Sequence, residues 1–321
     1  MAISDAAPDG SPFHAGELEV QERVGARERM DRFGRRVVRD GMPDQHRELF
    51  EKLPFVVLGH VDDEGWPWAS MWSGAPGFLK TPDARSMRLR GRPPSGDPLA
   101  GALRVGRAVG VLGIELTTRR RNRVTTHVAA IDEQSVLLSV DQSFGNCPHY
   151  IQTRAPSYAR DPEADFTAPA PEPLSTLDER ATRLVREADT FFVASAASSG
   201  DGDRILGADA SHRGGNRGFV RVEDDGALVV PDFAGNNHFN TLGNFVVYPR
   251  AGLTFVDFET GELLMLTGTV QIVWEGPELD AFAGAQRLWR FRFDHGVRLR
   301  EGTPLRFTFG EWSPSLERTG R

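Results

Sequence analysis

One nine-residue pattern, S-x-x-[SG]-G-x-x-G-F, occurs twice in the chain. It runs Ser70-Met-Trp-Ser-Gly74-Ala-Pro-Gly77-Phe78 and again, 141 residues later, Ser211-His-Arg-Gly-Gly215-Asn-Arg-Gly218-Phe219, with an alanine before each serine. Two further blocks repeat in the same order at a shift of 142. "AVGVLGIEL" (108–116) lies on "RAGLTFVDF" (250–258), placing Gly110 on Gly252 and Glu115 on Asp257, and "VAAI" (128–131) lies on "VQIV" (270–273). Three blocks in one order, offset by a single insertion, point to two copies of one architecture in one chain. The glycines recur, as expected where the backbone needs positive φ or close approach. The basic residues do not: His212 and Arg213 stand where the first copy has Met71 and Trp72. The geometry is shared and the chemistry belongs to one copy.

The order of elements supports the repeat. The segment "ELEVQERVGARERMDRFGRRVVRD" (17–40) has roughly helical apolar spacing, and "PDQHRELFEKL" (43–53) opens on helix-starting Pro and Asp. From Pro54, apolar runs alternate with turns: "FVVLGHV", "DDEG", "WPWASMW", "RAVGVLGIEL", "SVLLSV". Five prolines lie between 154 and 176, which reads as a linker. The scheme then restarts with a helix at 177–188, "TFFVASA" as a strand, and strands joined by "EDDG" and "ETGE". The expected division is a helical segment at 1–53, a first repeat at 54–153, the linker at 154–176, and a second repeat with a C-terminal tail at 177–321.

Charge and composition exclude several classes. A net charge of −7 over 321 residues argues against general nucleic-acid binding. The basic run "RRRNR" (119–123) has no aromatic platform beside it. One cysteine, Cys147, allows no internal disulfide and has no second cysteine at metal-ligand spacing, so no metal site is expected. No basic start with an apolar run marks a signal peptide, and no stretch nears the roughly 18 apolar residues of a membrane helix. The expectation is a cytoplasmic protein without membrane contact. There is no GxGxxG after a strand for a nicotinamide dinucleotide fold and no G-x-S-x-G for a serine nucleophile.

The sequence "FFVASA", "ADASHRGGNRGFVRV", "ALVVPDFAGNNHFNTLGN", "NFVVYPRAGLTFVDF", "LLMLTG" resembles the pyridoxamine 5′-phosphate oxidase-like flavin-binding split barrels from about residue 45 to 295. "SFGNCPHYIQ" (143–152) is similar to the subgroup described as predicted flavin-nucleotide-binding proteins. The resemblance implies a mainly β protein with flanking helices (α+β): two tandem split β-barrels forming an intrachain pseudo-dimer, with FMN between them. Ser211, His212, Arg213 and Gly214 would lie along the flavin ring. The turn Pro231, Asp232, Asn236, Asn237, His238 and Asn240 would hold its phosphate at a helix start, where amide groups and the positive helix end favour an anion. Arg250 could add charge. Arg121 falls on Leu263 in the repeat alignment, and Arg121 or Arg123 would reach the cofactor from the other half.

Two departures shape the expectation. The oxidase carries an Arg-Lys pair in its phosphate turn, where this chain has Asn236-Asn237-His238, and the oxidase's C-terminal Trp-Gly-Gly-Tyr-Arg-like segment is missing. Pyridoxamine phosphate is therefore not the expected substrate. The implied activity is FMN-dependent oxidoreduction of an unassigned small molecule, with NAD(P)H or a reductase as electron donor. The alternative is a non-catalytic flavin, haem or deazaflavin binding protein. His212 is the candidate hydrogen-bonding or proton-donating group, and Arg213 the candidate stabiliser of a reduced, anionic ring.

Overall fold

The two copies fold into two sheets with the same strand order. A computed structural model describes residues 10–198 and 207–319; the first nine residues of the expected helical segment lie outside them. The first sheet contains β1 (Phe55–Val61), β2 (Pro67–Ser73), β3 (Leu79–Asp83), β4 (Ser86–Arg90), β5 (Ala108–Glu115), β6 (Arg120–Ile131) and β7 (Ser135–Gly145) in the spatial order β2-β1-β5-β6-β7-β4-β3. Two short strands follow, β8 (Arg154–Tyr158) and β9 (Glu172–Leu174). The second sheet contains β10 (Thr190–Ala196), β11 (Ala208–Gly214), β12 (Arg221–Val222), β13 (Leu228–Phe233), β14 (Arg250–Val256), β15 (Leu263–Val273) and β16 (Ala285–Leu299). Its order, β11-β10-β14-β15-β16-β13-β12, is that of the first sheet strand for strand. All pairings are antiparallel. Among the described residues neither sheet closes into a barrel; each ladder is an open path.

The register keeps the sequence shift of 142. Gly110 pairs with Thr125 and Ile114 with Arg121 in the first sheet, as Gly252 pairs with Thr267 and Val256 with Leu263 in the second. The repeated motif has a packing reason. Gly77 and Gly218 both have positive φ (89° and 79°). A side chain at Gly74 or Gly215 would strike the ring of Phe78 or Phe219, each buried in its own sheet's core.

The sheets meet reciprocally. A side chain at Gly110 on β5 would strike the Ala208 carbonyl oxygen on β11, and one at Gly252 on β14 would strike the Pro67 carbonyl oxygen on β2. Position for position, each copy gives the other the same contact, as in an isologous interface. A shared core fills the space between, with Phe55, Val57, Met71, Leu112, Phe192, Leu263, Met265 and Phe307 from both halves. Each fully buried side chain of this kind contributes about 1.5–3 kcal/mol relative to exposure. Trp68 belongs to this shared core, Trp72 to the first sheet's own core, and Trp66 lies under the Arg250 guanidinium.

The helices close the ends. The predicted helix over 17–40 is two: α1 (Ala15–Arg23) and α2 (Arg27–Val37), divided at Gly25, whose φ is 65°. α3 (Asp44–Lys52) and the one-turn α4 (Leu99–Ala102) belong to the first copy, and α5 (Glu179–Glu187) and α6 (Asn240–Val247) to the second. α1 crosses α6 so closely that Gly16 and Gly243 face each other's backbone. The proline-rich stretch carries packed strands: β8 pairs with β17 (Leu305–Phe309), and β9 pairs with β16. Among the described residues no helix is long and apolar enough to cross a membrane.

Candidate functional site

One cleft lies where the halves meet at the end of β11. Arg121 and Arg123 on β6 and the segment Asn146–Tyr150 line it from the first copy. His212, Arg213 and Gly214 on β11, the end of β13 and the turn into α6 line it from the second. Of the twelve sequence-predicted residues, Arg121, Arg123, His212, Arg213, Gly214, Pro231, Asp232, Asn236, Asn237 and Asn240 line this cleft.

Ser211 and His238 are placed differently. The Ser211 hydroxyl lies one layer behind, receiving a hydrogen bond from Arg123 Nη2 and one from the Thr241 hydroxyl (3.1 Å). His238 packs its ring among Phe13, Phe33 and Phe144, away from the cleft. Burial lowers its pKa to about 4, so it supplies no cation to the turn. Arg250 is also absent from the cleft. It donates to the Gly65 carbonyl (3.0 Å) and lies over Trp66.

The basic run alternates about its strand, which is why half of it reaches the site. Arg119 and Arg120 donate to carbonyls of Ile151 (3.0 Å) and Gln45, whereas Arg121 and Arg123 turn inward. Arg121 Nε donates to the Cys147 carbonyl (2.8 Å), and its Nη2 lies 3.6 Å from the Cys147 sulfur. Arg123 Nη1 lies 3.3 Å from the Asp209 carboxylate and donates to Asn240 Oδ1 (2.9 Å). Arg213 donates only a long bond to the carbonyl of His212 (3.4 Å). Asp232 is held by Arg287 (3.2 Å).

Charge does not balance here. Of the charged side chains lining the cleft, Arg121, Arg123 and Arg213 give three cations and Asp232 one anion, a surplus of 3 − 1 = +2; behind them Asp209 pairs with Arg123 and Arg287 with Asp232. Among the described residues neither Arg121 nor Arg213 forms an ion pair with a carboxylate. Burial pulls the Arg121 guanidinium down to about 10, with Arg123 and Arg213 adding repulsion, and burial lowers Arg213 too; burial raises Asp232. Buried cations without counter-charges are costly unless something anionic joins them.

His212 is 2% exposed, and both ring nitrogens lack a hydrogen-bond partner. Burial, reinforced by Arg121, Arg213, Arg154 and Arg123, holds it well below the usual histidine pKa. That favours the neutral imidazole, which suits hydrogen bonding better than proton donation as an imidazolium.

The start of α6 also lines the cleft. Asn237 and Phe239 both adopt left-handed backbone (φ 61° and 59°), and Asn236 Oδ1 accepts from the His238 amide (3.1 Å). Among the described residues no side chain caps the helix, so its first-turn amide groups remain available to an anion. Behind it, Asn240 donates to the buried Glu17 on α1, whose other oxygen accepts from the His14 amide (2.9 Å). His14 Nε2 in turn lies 2.9 Å from Asn244 Oδ1. This buried chain fixes the helix end. Sequence reasoning missed Glu17 and His14, because nothing local pairs Glu17 with a residue 223 positions further on. It also missed Tyr150, which closes the cleft with its hydroxyl on the Ala234 carbonyl (3.0 Å) and its ring tilted on Phe233; the segment "SFGNCPHYIQ" carried the available signal. Among the described residues no three His, Cys, Asp or Glu side chains are grouped to hold a metal ion.

No known protein family matches the chain, and no curated protein does. Solved structures give weak likenesses. The Group A Streptococcus HupZ matches with a TM-score of 0.29 at 13% identity, over 42% of this chain and 97% of that one. A histidine-to-alanine variant of that same protein gives 0.30 at 14%, over 38% and 99%. The Bacillus subtilis inhibitor of motility MotI/DgrA gives 0.21 at 8%, over 76% and 87%. Likenesses at these scores carry no weight for function.

Proposed function

We propose that the chain is an FMN-binding oxidoreductase of the pyridoxamine 5′-phosphate oxidase-like split-barrel group, its two repeats acting as a built-in dimer around one cofactor. The surplus of buried positive charge carries this reading. A cleft lined by two guanidinium groups that form no ion pair and by an uncapped helix start suits a ligand carrying more than one anionic group. FMN is such a ligand, with a phosphate and a ring that becomes anionic on reduction. The unpartnered nitrogens of His212 add a hydrogen-bonding position in the same cleft.

In this reading the α6 amides and the Asn236–Asn240 turn hold the phosphate, as the family resemblance implies. Arg121, Arg123 and Arg213 stabilise negative charge on the ring, and neutral His212 orients it. Bound FMN would supply hydride transfer. The protein excludes water and offers fixed positive charge where negative charge develops. Free space in the cleft is about 100 Å³, less than the roughly 300–1,000 Å³ of sites for drug-sized ligands. Entry therefore requires the Asn146–Tyr150 segment to move, breaking the Tyr150 hydroxyl bond to Ala234 and the Arg121 bond to the Cys147 carbonyl. The substrate is a small molecule other than pyridoxamine phosphate, the electron donor NAD(P)H or a reductase, and the compartment the cytoplasm.

The visible spectrum of the purified protein, or of protein incubated with FMN, tests the reading. A flavin spectrum that bleaches with NAD(P)H or a reductase and returns in air is the expected outcome. A flavin that no donor reduces means a carrier, a Soret band means haem, and no binding of FMN removes the proposal. Replacing Arg213 and Asn236 together with alanine is expected to weaken FMN at least about tenfold through lost charge-assisted bonds; unchanged affinity would put the ligand elsewhere.

A further inference from the structure

Five of the eleven residues of α2 are arginines (Arg27, Arg29, Arg32, Arg35, Arg36) against two acids (Glu28, Asp31), a local balance of 5 − 2 = +3 in a chain whose net charge is −7. Arg35 and Arg27 are engaged with Asp31 (2.9 Å) and Glu22 (3.9 Å). Arg29, Arg32 and Arg36 are exposed, and among the described residues none of the three has a hydrogen bond or ion pair. At spacings of three and four they share one helix face.

That face forms a groove of about 830 Å³ with Met30, the 40%-exposed ring of Phe33, and Gly235, Asn236 and Asn237. The same three turn residues line the cleft described above. The turn at the start of α6 is therefore a shared rim, with an uncapped helix start on one side and three free guanidinium groups on the other. A ligand whose anionic end sits at this helix start leaves the cleft toward α2.

We infer that the groove on α2 receives a second, phosphate-bearing segment of the ligand held in the cleft, so that the preferred ligand is a dinucleotide whose flavin mononucleotide half occupies the cleft. Arginine suits phosphate through paired N–H donors, and Phe33 offers an apolar ring for a base to stack upon. The inference rests on the cleft being a flavin site, and it adds the nucleotide class.

The test titrates the full chain with FMN, with flavin adenine dinucleotide, and with ADP after saturation by FMN, in the parent protein and in the variant Arg29→Gln/Arg32→Gln/Arg36→Gln. These side chains are exposed, and the thermal midpoint checks that the variant folds. The dinucleotide is expected to bind the parent about tenfold tighter than FMN, a gain typical of charged hydrogen bonds. The triple variant should erase that gain while leaving FMN affinity within about twofold, and added salt should narrow the gap in the parent. Equal affinities of the parent for the two flavins, or a gain that survives in the variant, would overturn the inference while FMN binding upheld the flavin site. ADP binding that the triple variant abolishes, with no preference for the dinucleotide, would overturn it in favour of a separate nucleotide. Failure of both flavins to bind the parent would remove the flavin site itself.

Discussion

Arg121 and Arg123 on β6 correspond, through the 142-residue shift that the strand register keeps, to Leu263 and Met265 on β15. His212 and Arg213 on β11 correspond to Met71 and Trp72 on β2. The first set surrounds a cleft with surplus positive charge, and the second is buried apolar packing with no residue more than 1% exposed. Two-fold repetition offers two equivalent places for a site. Here one place is filled by apolar core side chains, and the other by charged groups, of which only Arg123 is ion-paired across the halves among the described residues. A charged cleft on a duplicated fold can thus be supported by its own counterpart, whose packing offsets the cost of buried charge.

That comparison can be broken most severely by moving the chemistry across it. Leu263→Arg places a guanidinium in the shared core with no carboxylate prepared for it. It is expected to cost about 4 kcal/mol or more, read by denaturant unfolding; a loss under about 1 kcal/mol would mean the counterpart is not closed. Next, Gly110→Ala and Gly252→Ala each push a methyl group into the facing strand's carbonyl. Each is expected to cost about 1–3 kcal/mol by overpacking, and the two costs should agree if the contact is reciprocal. A cost at one glycine alone would show that the halves do not meet symmetrically.

A smaller effect of opposite sign is expected in the cleft. His212→Met copies Met71 and removes a buried ring with no hydrogen-bond partner, so the ligand-free protein should gain about 1 kcal/mol while losing ligand affinity. Destabilisation of the ligand-free variant would show that His212 supports the fold. The smallest effect concerns pH. His212 has a folded-state pKa depressed below its unfolded value near 6.5, so the unfolded chain takes up protons that the folded chain refuses. Stability from this group is present above about pH 6.5 and is lost as pH falls from there toward the folded pKa. The fall in unfolding free energy between about pH 7 and 6 should be shallower in His212→Met; an equal slope would mean that the histidine titrates normally.

Much of this architecture was legible in the chain. The motif around Ser70 and Ser211 reported a duplication because glycine and phenylalanine at those positions serve backbone turns and ring packing that both copies need. Divergence at 71–72 against 212–213 pointed to one chemical site. The turn chosen by resemblance does line the cleft, yet His238 within it faces away, because a turn with two left-handed residues reverses the chain within a few positions. Arg250 was misplaced for a similar reason: strand order does not say which face of a sheet meets which partner. The helix at 17–40 was read as continuous although Gly25 divides it.

What the sequence determined by itself was periodic and local: two copies, their antiparallel strands, and the glycine and phenylalanine positions that repeat. Tertiary structure alone decided which buried groups share a cleft. It brought Arg123 to Ser211, 88 residues further along the chain, joined Glu17 to Asn240, and, among the described residues, left two guanidinium groups without an ion pair and one imidazole without a hydrogen bond. The reason is physical. Patterns of apolar residues are set by each strand's own period, whereas charge balance in a buried site is a property of all the segments that converge on it.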